Sequence, residues 1–121
     1  MDSPMPRVLL LDDEALVRRA FARSLLSYEV VGVGTVAAAR AMIEQQSFDA
    51  ILLDVHLYGG TSAELLVWLA EDHPGLLSCT AILTGATLPG DFILPEGVRV
   101  VSKPLGVADL RDLVALLGRA S

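Results

Sequence analysis

Short apolar segments alternate with longer amphipathic segments along the chain, and this alternation restricts the possible folds more than any other feature. Apolar runs of strand length occupy residues 7–11, 29–33, 50–53, 80–83 and 98–102. Strands that are apolar on both faces and separated by helices are typical of a parallel sheet that helices cover on both sides. The sequence therefore predicts an α/β fold with a five-stranded, doubly wound parallel sheet.

The segments between the strands show helical periodicity. Helices are predicted from Ala15 to Ser27, from an N-cap at Thr35 through Gln46, from about Ser62 to Asp72, and from Val107 to Arg119. Thr61 and Glu64 have the spacing of a capping box, and Pro74 is expected to end the third helix. Residues 85–97 are rich in proline and glycine, so any helix there is expected to be short or irregular.

Length and composition restrict the class of protein. A chain of 121 residues has the size of one domain, so we expect residues 1–121 to form a single domain in which residues 1–6 are a flexible N-terminus. The chain shows no apolar run long enough to cross a membrane and no secretory signal pattern, and its single Cys79 suits a reducing cytoplasm. A net charge of −6 without basic runs argues against nucleic-acid binding by this chain alone.

Polar residues follow four of the five predicted strands. Strand one is followed by the acidic residues Asp12, Asp13 and Glu14, and strand three by the carboxylate of Asp54. Strand four is followed by the hydroxyl of Thr84, and strand five by the ammonium of Lys103. Strand two ends in residues 32–34, Gly-Val-Gly, and contributes no such group. Because ligands of open parallel sheets bind beyond the carboxyl ends of the strands, we expect these side chains to share one pocket.

This set of groups suits phosphoryl transfer. Clustered carboxylates repel one another unless a cation balances them, and an all-oxygen site favours Mg²⁺ over softer metals. A carboxylate can serve as the nucleophile, while a lysine and a threonine contact the oxygens of the transferred group.

Four motifs carry a family resemblance: Leu-Leu-Leu-Asp12-Asp13-Glu14, Leu-Leu-Asp54-Val55, Leu-Thr84-Gly85 and Ser-Lys103-Pro104. Together, in this order and over nearly the whole chain, they resemble the motif set of response-regulator receiver domains of two-component signalling. The resemblance implies a flavodoxin-like (βα)₅ fold with strand order 2-1-3-4-5. It also implies a partner, either a histidine kinase or a histidine phosphotransfer protein.

The resemblance implies a role for each matched position. Asp54 is the expected phosphoacceptor, and Thr84 and Lys103 are expected to contact the phosphoryl group. The Mg²⁺ ligands it implies are the side chains of Asp13 and Asp54, Asp12 through a water molecule, and the backbone carbonyl of His56. The bond between Lys103 and Pro104 is expected to be cis. His56 and Ala86, two positions after Asp54 and Thr84, are expected to modulate the rate at which the phosphoryl group is lost.

The chain departs from the receiver pattern at several positions. Tyr58 and Ser62 replace the usual proline and glycine after the acceptor, and Val100 replaces the usual aromatic switch residue. With these departures and a short or irregular fourth helix, the chain resembles the receivers of hybrid histidine kinases or stand-alone receivers. We expect it to be a monomer. The first helix, with Leu16 and Ala20, is the expected docking surface for the partner.

Alternative functions are weighed against specific residues. A haloacid-dehalogenase-like phosphatase needs Asp-x-Asp after strand one and a cap domain, whereas this chain has Asp12-Asp13-Glu14. A flavodoxin-like cofactor binder needs a phosphate-cradling first loop, and an acidic loop would repel phosphate. A receiver-shaped scaffold that is not phosphorylated would not need the acidic pair, Asp54, Thr84 and Lys103. We therefore expect a phosphorylated signalling domain rather than an enzyme.

Overall fold

The computed structural model describes residues 5–58, 60–85, 87–90 and 92–120, and within them a five-stranded parallel sheet forms the centre of the fold. Its strands are β1 (Arg7–Leu11), β2 (Glu29–Val33), β3 (Ala50–Asp54), β4 (Thr80–Thr84) and β5 (Arg99–Ser102). They lie side by side in the order β2-β1-β3-β4-β5, with every neighbouring pair parallel. The predicted fold class and strand order are confirmed.

The sheet separates two apolar cores because successive side chains of a strand point to opposite faces. Leu9 and Leu11 of β1 pack into one core with residues of α2 (Val36–Gln45) and α3 (Ala63–Asp72). Val8 and Leu10 pack into the other, which contains residues of α4 (Val107–Ala120) and the partly buried Phe21 of α1 (Ala15–Ser24). Helices on both faces explain why the central strands are apolar throughout.

Each predicted helix differs from the observed one by one to three residues at one end. Helix α1 ends at Ser24 rather than Ser27, because Leu25 leaves the helical conformation and its fully buried side chain joins the core. Helix α3 begins one residue later than predicted, with Ser62 as the N-cap. Thr61 belongs to a short antiparallel hairpin of His56–Leu57 with Gly60–Thr61, yet its Oγ1 still accepts a hydrogen bond of 3.2 Å from the backbone N–H of Ala63, the first residue of α3.

Two other local predictions have mixed outcomes. The N-cap at Thr35 is confirmed, since its Oγ1 accepts a hydrogen bond of 3.1 Å from the backbone N–H of Ala38. Pro74 does follow the end of α3, but it also starts a 3₁₀-helix, Pro74–Cys79, that the sequence analysis did not predict. Pro suits this position because the first turn of a helix does not use its N–H.

The connection between β4 and β5 contains no helix among its described residues, 85, 87–90 and 92–98. Gly97 has a φ of 97°, a conformation that glycine adopts without strain, and it precedes the buried Val98 that leads into β5. The predicted irregularity of this segment is confirmed. One consequence is that β5, at the edge of the sheet, leaves Val100 45% exposed.

The N-terminal prediction remains a prediction, since residues 1–4 lie outside the described residues. Pro6 accepts a hydrogen bond of 2.9 Å from the backbone N–H of Glu29, next to the paired start of β1 and β2. In the described part of the chain, no helix combines the length and the apolar character that crossing a bilayer requires.

Candidate functional site

The carboxyl edge of the sheet brings together the side chains that the sequence analysis placed there. Nζ of Lys103 lies 3.1 Å from Oδ1 of Asp54. One carboxylate oxygen from each of Asp12, Asp13 and Asp54 lies within 4.8 Å of the other two. Three carboxylates and one ammonium therefore share a pocket.

The strand order explains this convergence. Asp54 is the last residue of β3, which pairs with β1 on one side and with β4 on the other. Asp12 and Asp13 follow β1 directly, and Thr84 is the last residue of β4. Asp54 thus occupies the middle of the edge, and its neighbours come from strands that are far apart in the chain.

Asp12 is the most buried acid of the group, with 3% of its surface exposed. Its Oδ1 accepts a hydrogen bond of 2.9 Å from the backbone N–H of Glu14. Burial raises the pKa of the Asp12 carboxyl above its ordinary value, and the negative charges of Asp54 and Asp13 add to this effect. The Glu14 hydrogen bond and the positive charge of Lys103 oppose the rise in pKa.

Asp13 is held by the hairpin that follows β3. Its Oδ2 accepts a hydrogen bond from the backbone N–H of Tyr58, whose side chain is 97% exposed. The sequence analysis noted Tyr58 only as a departure from the receiver pattern and did not predict this contact. A backbone group makes the contact, so no side-chain pattern could have revealed it. His56, in the same hairpin, exposes its side chain.

A backbone hydrogen bond to Thr84 and a cis peptide bond to Pro104 position Lys103 at the edge of the sheet. Its N–H donates a hydrogen bond of 2.8 Å to the carbonyl oxygen of Thr84, and the Lys103–Pro104 bond is cis, as the resemblance implied. Thr84 is 5% exposed at the end of β4. A cavity of about 460 Å³ adjoins these two residues and is also lined by Gly85, Thr87 and Ser102.

One more side chain reaches this edge of the sheet without having been predicted. Nη1 of Arg18, in α1, donates a hydrogen bond of 2.7 Å to the carbonyl oxygen of Asp12. The signal for it in the sequence is indirect, namely the two glycines at the end of β2, against which Arg18 lies. Ala86, a predicted rate modulator, lies outside the described residues.

The residues of the acidic cluster fit a hard divalent cation. All the side-chain atoms of the cluster that could bind a metal are carboxylate oxygens. Among the described residues, Lys103 forms the ion pair with Asp54. Mg²⁺ in proteins is typically bound by one or two carboxylates together with water and phosphate oxygens. Such an ion would offset the mutual repulsion of the three acids.

Comparison with known proteins agrees with this geometry. No protein-family profile matches the chain. The crystal structure of a CheY-like response regulator receiver domain protein from Methanospirillum hungatei superposes with a TM-score of 0.83 at 25% identity, over 96% of this chain and 95% of that one. The chain is a CheY-like receiver domain.

Other relatives add context to the receiver assignment. The response regulator TrrA from Thermotoga maritima, solved in complex with Mg²⁺–BeF, has the same fold, with a TM-score of 0.77 at 20% identity over 93% of this chain and 99% of that one. The sensor histidine kinase AruS from Pseudomonas aeruginosa is 33% identical over 119 residues, which are 92% of this chain and 12% of that protein. The receiver spans between 12% and 32% of the length of the curated relatives it matches.

Proposed function

We propose that this receiver domain accepts a phosphoryl group on Asp54 from a phosphohistidine of a histidine kinase or a histidine phosphotransfer protein. The observation that carries the proposal is the contact of 3.1 Å between Lys103 Nζ and Asp54 Oδ1 beside the acidic cluster. This contact supports the proposal because a carboxylate that would act as the nucleophile lies next to a cation that would stabilise the incoming group.

Mg²⁺ is the proposed cofactor. The side chains of Asp13 and Asp54, Asp12 through water, and the backbone carbonyl of His56 would hold it. When bound, the ion would neutralise negative charge on the phosphoryl oxygens and on the acids. The structure of TrrA with Mg²⁺–BeF supports this choice by showing the same fold with both groups bound.

The proposed reaction exchanges one phosphorus bond for another. An oxygen of the Asp54 carboxylate forms a bond to phosphorus while the phosphorus–nitrogen bond of the phosphohistidine breaks, and the electron pair of that bond stays on the imidazole. Lys103 contacts the oxygens of the transferred group, and the hydroxyl of Thr84 donates a hydrogen bond to them. Later hydrolysis of the acyl phosphate returns Asp54 to its free carboxylate.

The partner is proposed to dock over α1. Leu16 is 73% exposed on this helix, and an apolar cavity of about 330 Å³ lies between α1 and the Lys103–Pro104 turn. This cavity is lined by Val17, Ala20, Phe21, Lys103, Pro104 and Leu105. A histidine-bearing helix seated there would lie beside Lys103. Leu16→Asp is expected to slow transfer from a phosphorylated histidine kinase domain without slowing modification by acetyl phosphate.

The proposal also covers the oligomeric state, the extent of the domain and the cellular setting. The domain would act as a monomeric signalling domain rather than as an enzyme, with residues 1–121 as one unit. It would work in the cytoplasm with its kinase partner. A hybrid histidine kinase or a stand-alone receiver would both provide this setting.

The decisive experiment is phosphorylation in vitro. The receiver is incubated with Mg²⁺ and acetyl phosphate, and intact-mass spectrometry is used to detect one added phosphoryl group in the wild type and none in Asp54→Asn. Beryllofluoride should shift the amide NMR signals of Thr84 and Lys103 in the wild type alone. Modification of the Asn variant would contradict the choice of acceptor. A wild type without modification would favour a scaffold, and steady turnover of a phosphomonoester would favour a phosphatase.

A further inference from the structure

The end of strand β2 carries no functional side chain, but its glycines lie against one residue of α1. A Cβ atom added to Gly32 would lie 3.0 Å from Cδ of Arg18, closer than side chains normally approach. A Cβ atom added to Gly34 would lie 3.2 Å from Nη1 of the same arginine. The two glycines thus leave the space that the Arg18 side chain occupies across the end of β2.

Arg18 uses this space to reach the backbone of the acidic cluster. Its Nη1 donates a hydrogen bond of 2.7 Å to the carbonyl oxygen of Asp12 in a partly buried setting. The N–H of Asp12 donates a hydrogen bond of 3.0 Å to the carbonyl of Val33, between the two glycines. The carbonyl of Asp12 is therefore held by α1 and its N–H by the end of β2, two elements that contact each other through Arg18 and the glycines.

The fixed backbone matters because the acids that it carries repel one another. Asp12 is almost fully buried, and Asp13 and Asp54 lie close to it. The carbonyl that Arg18 holds belongs to the peptide that links Asp12 to Asp13, so its orientation affects the direction of both side chains. A charged donor on a partly buried carbonyl forms a stronger hydrogen bond than a neutral donor does.

We propose that Arg18 is a positioning residue that sets the geometry of the acidic cluster for Mg²⁺, and that Gly32 and Gly34 admit it. Arg18 acts through the Asp12 peptide and is not itself a ligand. Strand β2 then contributes space to the site where the other four strands contribute polar side chains. This inference rests on the proposed Mg²⁺-dependent function.

The test measures Mg²⁺ affinity in the absence of any phosphoryl donor. Arg18→Met keeps an unbranched side chain but removes the donor, whereas Gly34→Ala leaves Arg18 in the sequence and pushes its Nη1 away from the added methyl group. Arg19→Met, at the neighbouring exposed arginine, is the control for charge. Gly75→Ala is the control for an added methyl group, since a Cβ there meets nothing within 4 Å.

Mg²⁺ dissociation constants are obtained by NMR titration of the amide signals of Asp12 and Asp13. Arg18→Met is expected to weaken Mg²⁺ binding about tenfold, the scale seen when an outer-shell partner of a metal ligand is lost. Gly34→Ala is expected to weaken Mg²⁺ binding in the same direction but by less, because the donor is shifted rather than removed. Both should also shift the carbonyl ¹³C resonance of Asp12, while the two controls leave affinity and resonance unchanged. Arg18→Lys should recover most of the affinity because it restores a cationic donor.

The outcomes separate the inference from the proposed function. Wild-type affinity in a folded Arg18→Met or Gly34→Ala protein overturns the inference alone. If Arg18→Met does not fold, the Gly34→Ala result decides. A lower melting temperature with unchanged Mg²⁺ affinity means that Arg18 only stabilises the fold, and this also overturns the inference. A wild type that does not bind Mg²⁺ overturns the proposed function together with the inference.

Discussion

The ammonium of Lys103 lies 3.1 Å from the carboxylate of Asp54, although β4 lies between β3, which ends in Asp54, and β5, which precedes Lys103. The pair is partly buried, with 32% of the Lys103 side chain and 14% of the Asp54 side chain exposed. The lysine spans the end of β4 to reach the acid, and Thr84 at that end accepts the Lys103 N–H. The contact links three strands at one point.

Lys103→Met is expected to slow phosphorylation of Asp54 by acetyl phosphate about 100-fold, the scale of losing one preorganised charge-stabilising donor. Affinity for Mg²⁺ should not fall, because the change removes a cation that competes with the metal for the acids. Initial rates of phosphoprotein formation and a Mg²⁺ titration check the two parts. Arg99→Met, which removes an exposed cation from the strand that precedes Lys103, is the control. Equal phosphorylation rates in both variants would mean that Lys103 has no role in the transfer.

His56→Ala is expected to shorten the lifetime of the aspartyl phosphate. The exposed His56 side chain lies two residues after Asp54, where it can limit the access of water to the phosphoryl group. Removing the ring should accelerate hydrolysis about threefold, which corresponds to about 0.7 kcal/mol in the barrier. Decay of phosphoprotein after removal of the donor measures the rate. His73→Ala, remote at the end of α3, controls for loss of a histidine. An unchanged decay rate would remove His56 from the proposed rate modulators.

Much of the fold and of the site could be predicted from the sequence because both depend on side-chain patterns. The apolar runs of β1, β3 and β4 mark central strands, and the polar residue after each run marks the shared edge. Asp54 and Lys103 could be paired in advance because parallel strands present their carboxyl ends at one edge. Local residue patterns carry this information before any tertiary contact is known.

The features that the sequence did not reveal depend on backbone atoms or on tertiary contacts. The N–H of Tyr58 binds Asp13, and the carbonyl of Asp12 binds Arg18, and neither atom leaves a mark in residue type. The Thr61 hydroxyl accepts the N–H of Ala63, but the hairpin pairs Thr61 with His56, so Ser62 occupies the N-cap position without using its own hydroxyl as a cap. In that case tertiary structure overrides a local preference.

Ser62→Ala is expected to stabilise the receiver. The Ser62 side chain is fully buried, and its hydroxyl has no hydrogen-bond partner among the described residues. An unsatisfied buried hydroxyl costs about 1 kcal/mol or more, so its removal should raise the melting temperature by roughly 4 °C. Thermal melts followed by circular dichroism measure the change. Ser27→Ala, at an exposed serine, should alter stability little. A lower melting temperature for Ser62→Ala would mean that the hydroxyl has a partner, such as a buried water molecule.

Asp12→Asn is expected to stabilise the receiver at neutral pH when divalent cations are absent. Burial raises the pKa of the Asp12 carboxyl in the folded state above its ordinary value. The folded protein therefore holds a proton in a pH range where the unfolded chain has released it. The free energy of unfolding falls as pH rises through that range, and the loss persists at pH 7.

Asparagine keeps an oxygen that can accept the Glu14 N–H but carries no charge, so the destabilisation should be absent in the variant. The melting temperature at pH 7 in EDTA should rise, because the amide is buried without the cost of a charge beside Asp13 and Asp54. The difference from wild type should shrink as pH is lowered, because the wild-type carboxyl then takes up its proton and loses its charge. Added Mg²⁺ should reverse the order, because the wild type gains more from binding. A variant less stable than wild type in EDTA would show that the charged form of Asp12 stabilises the fold.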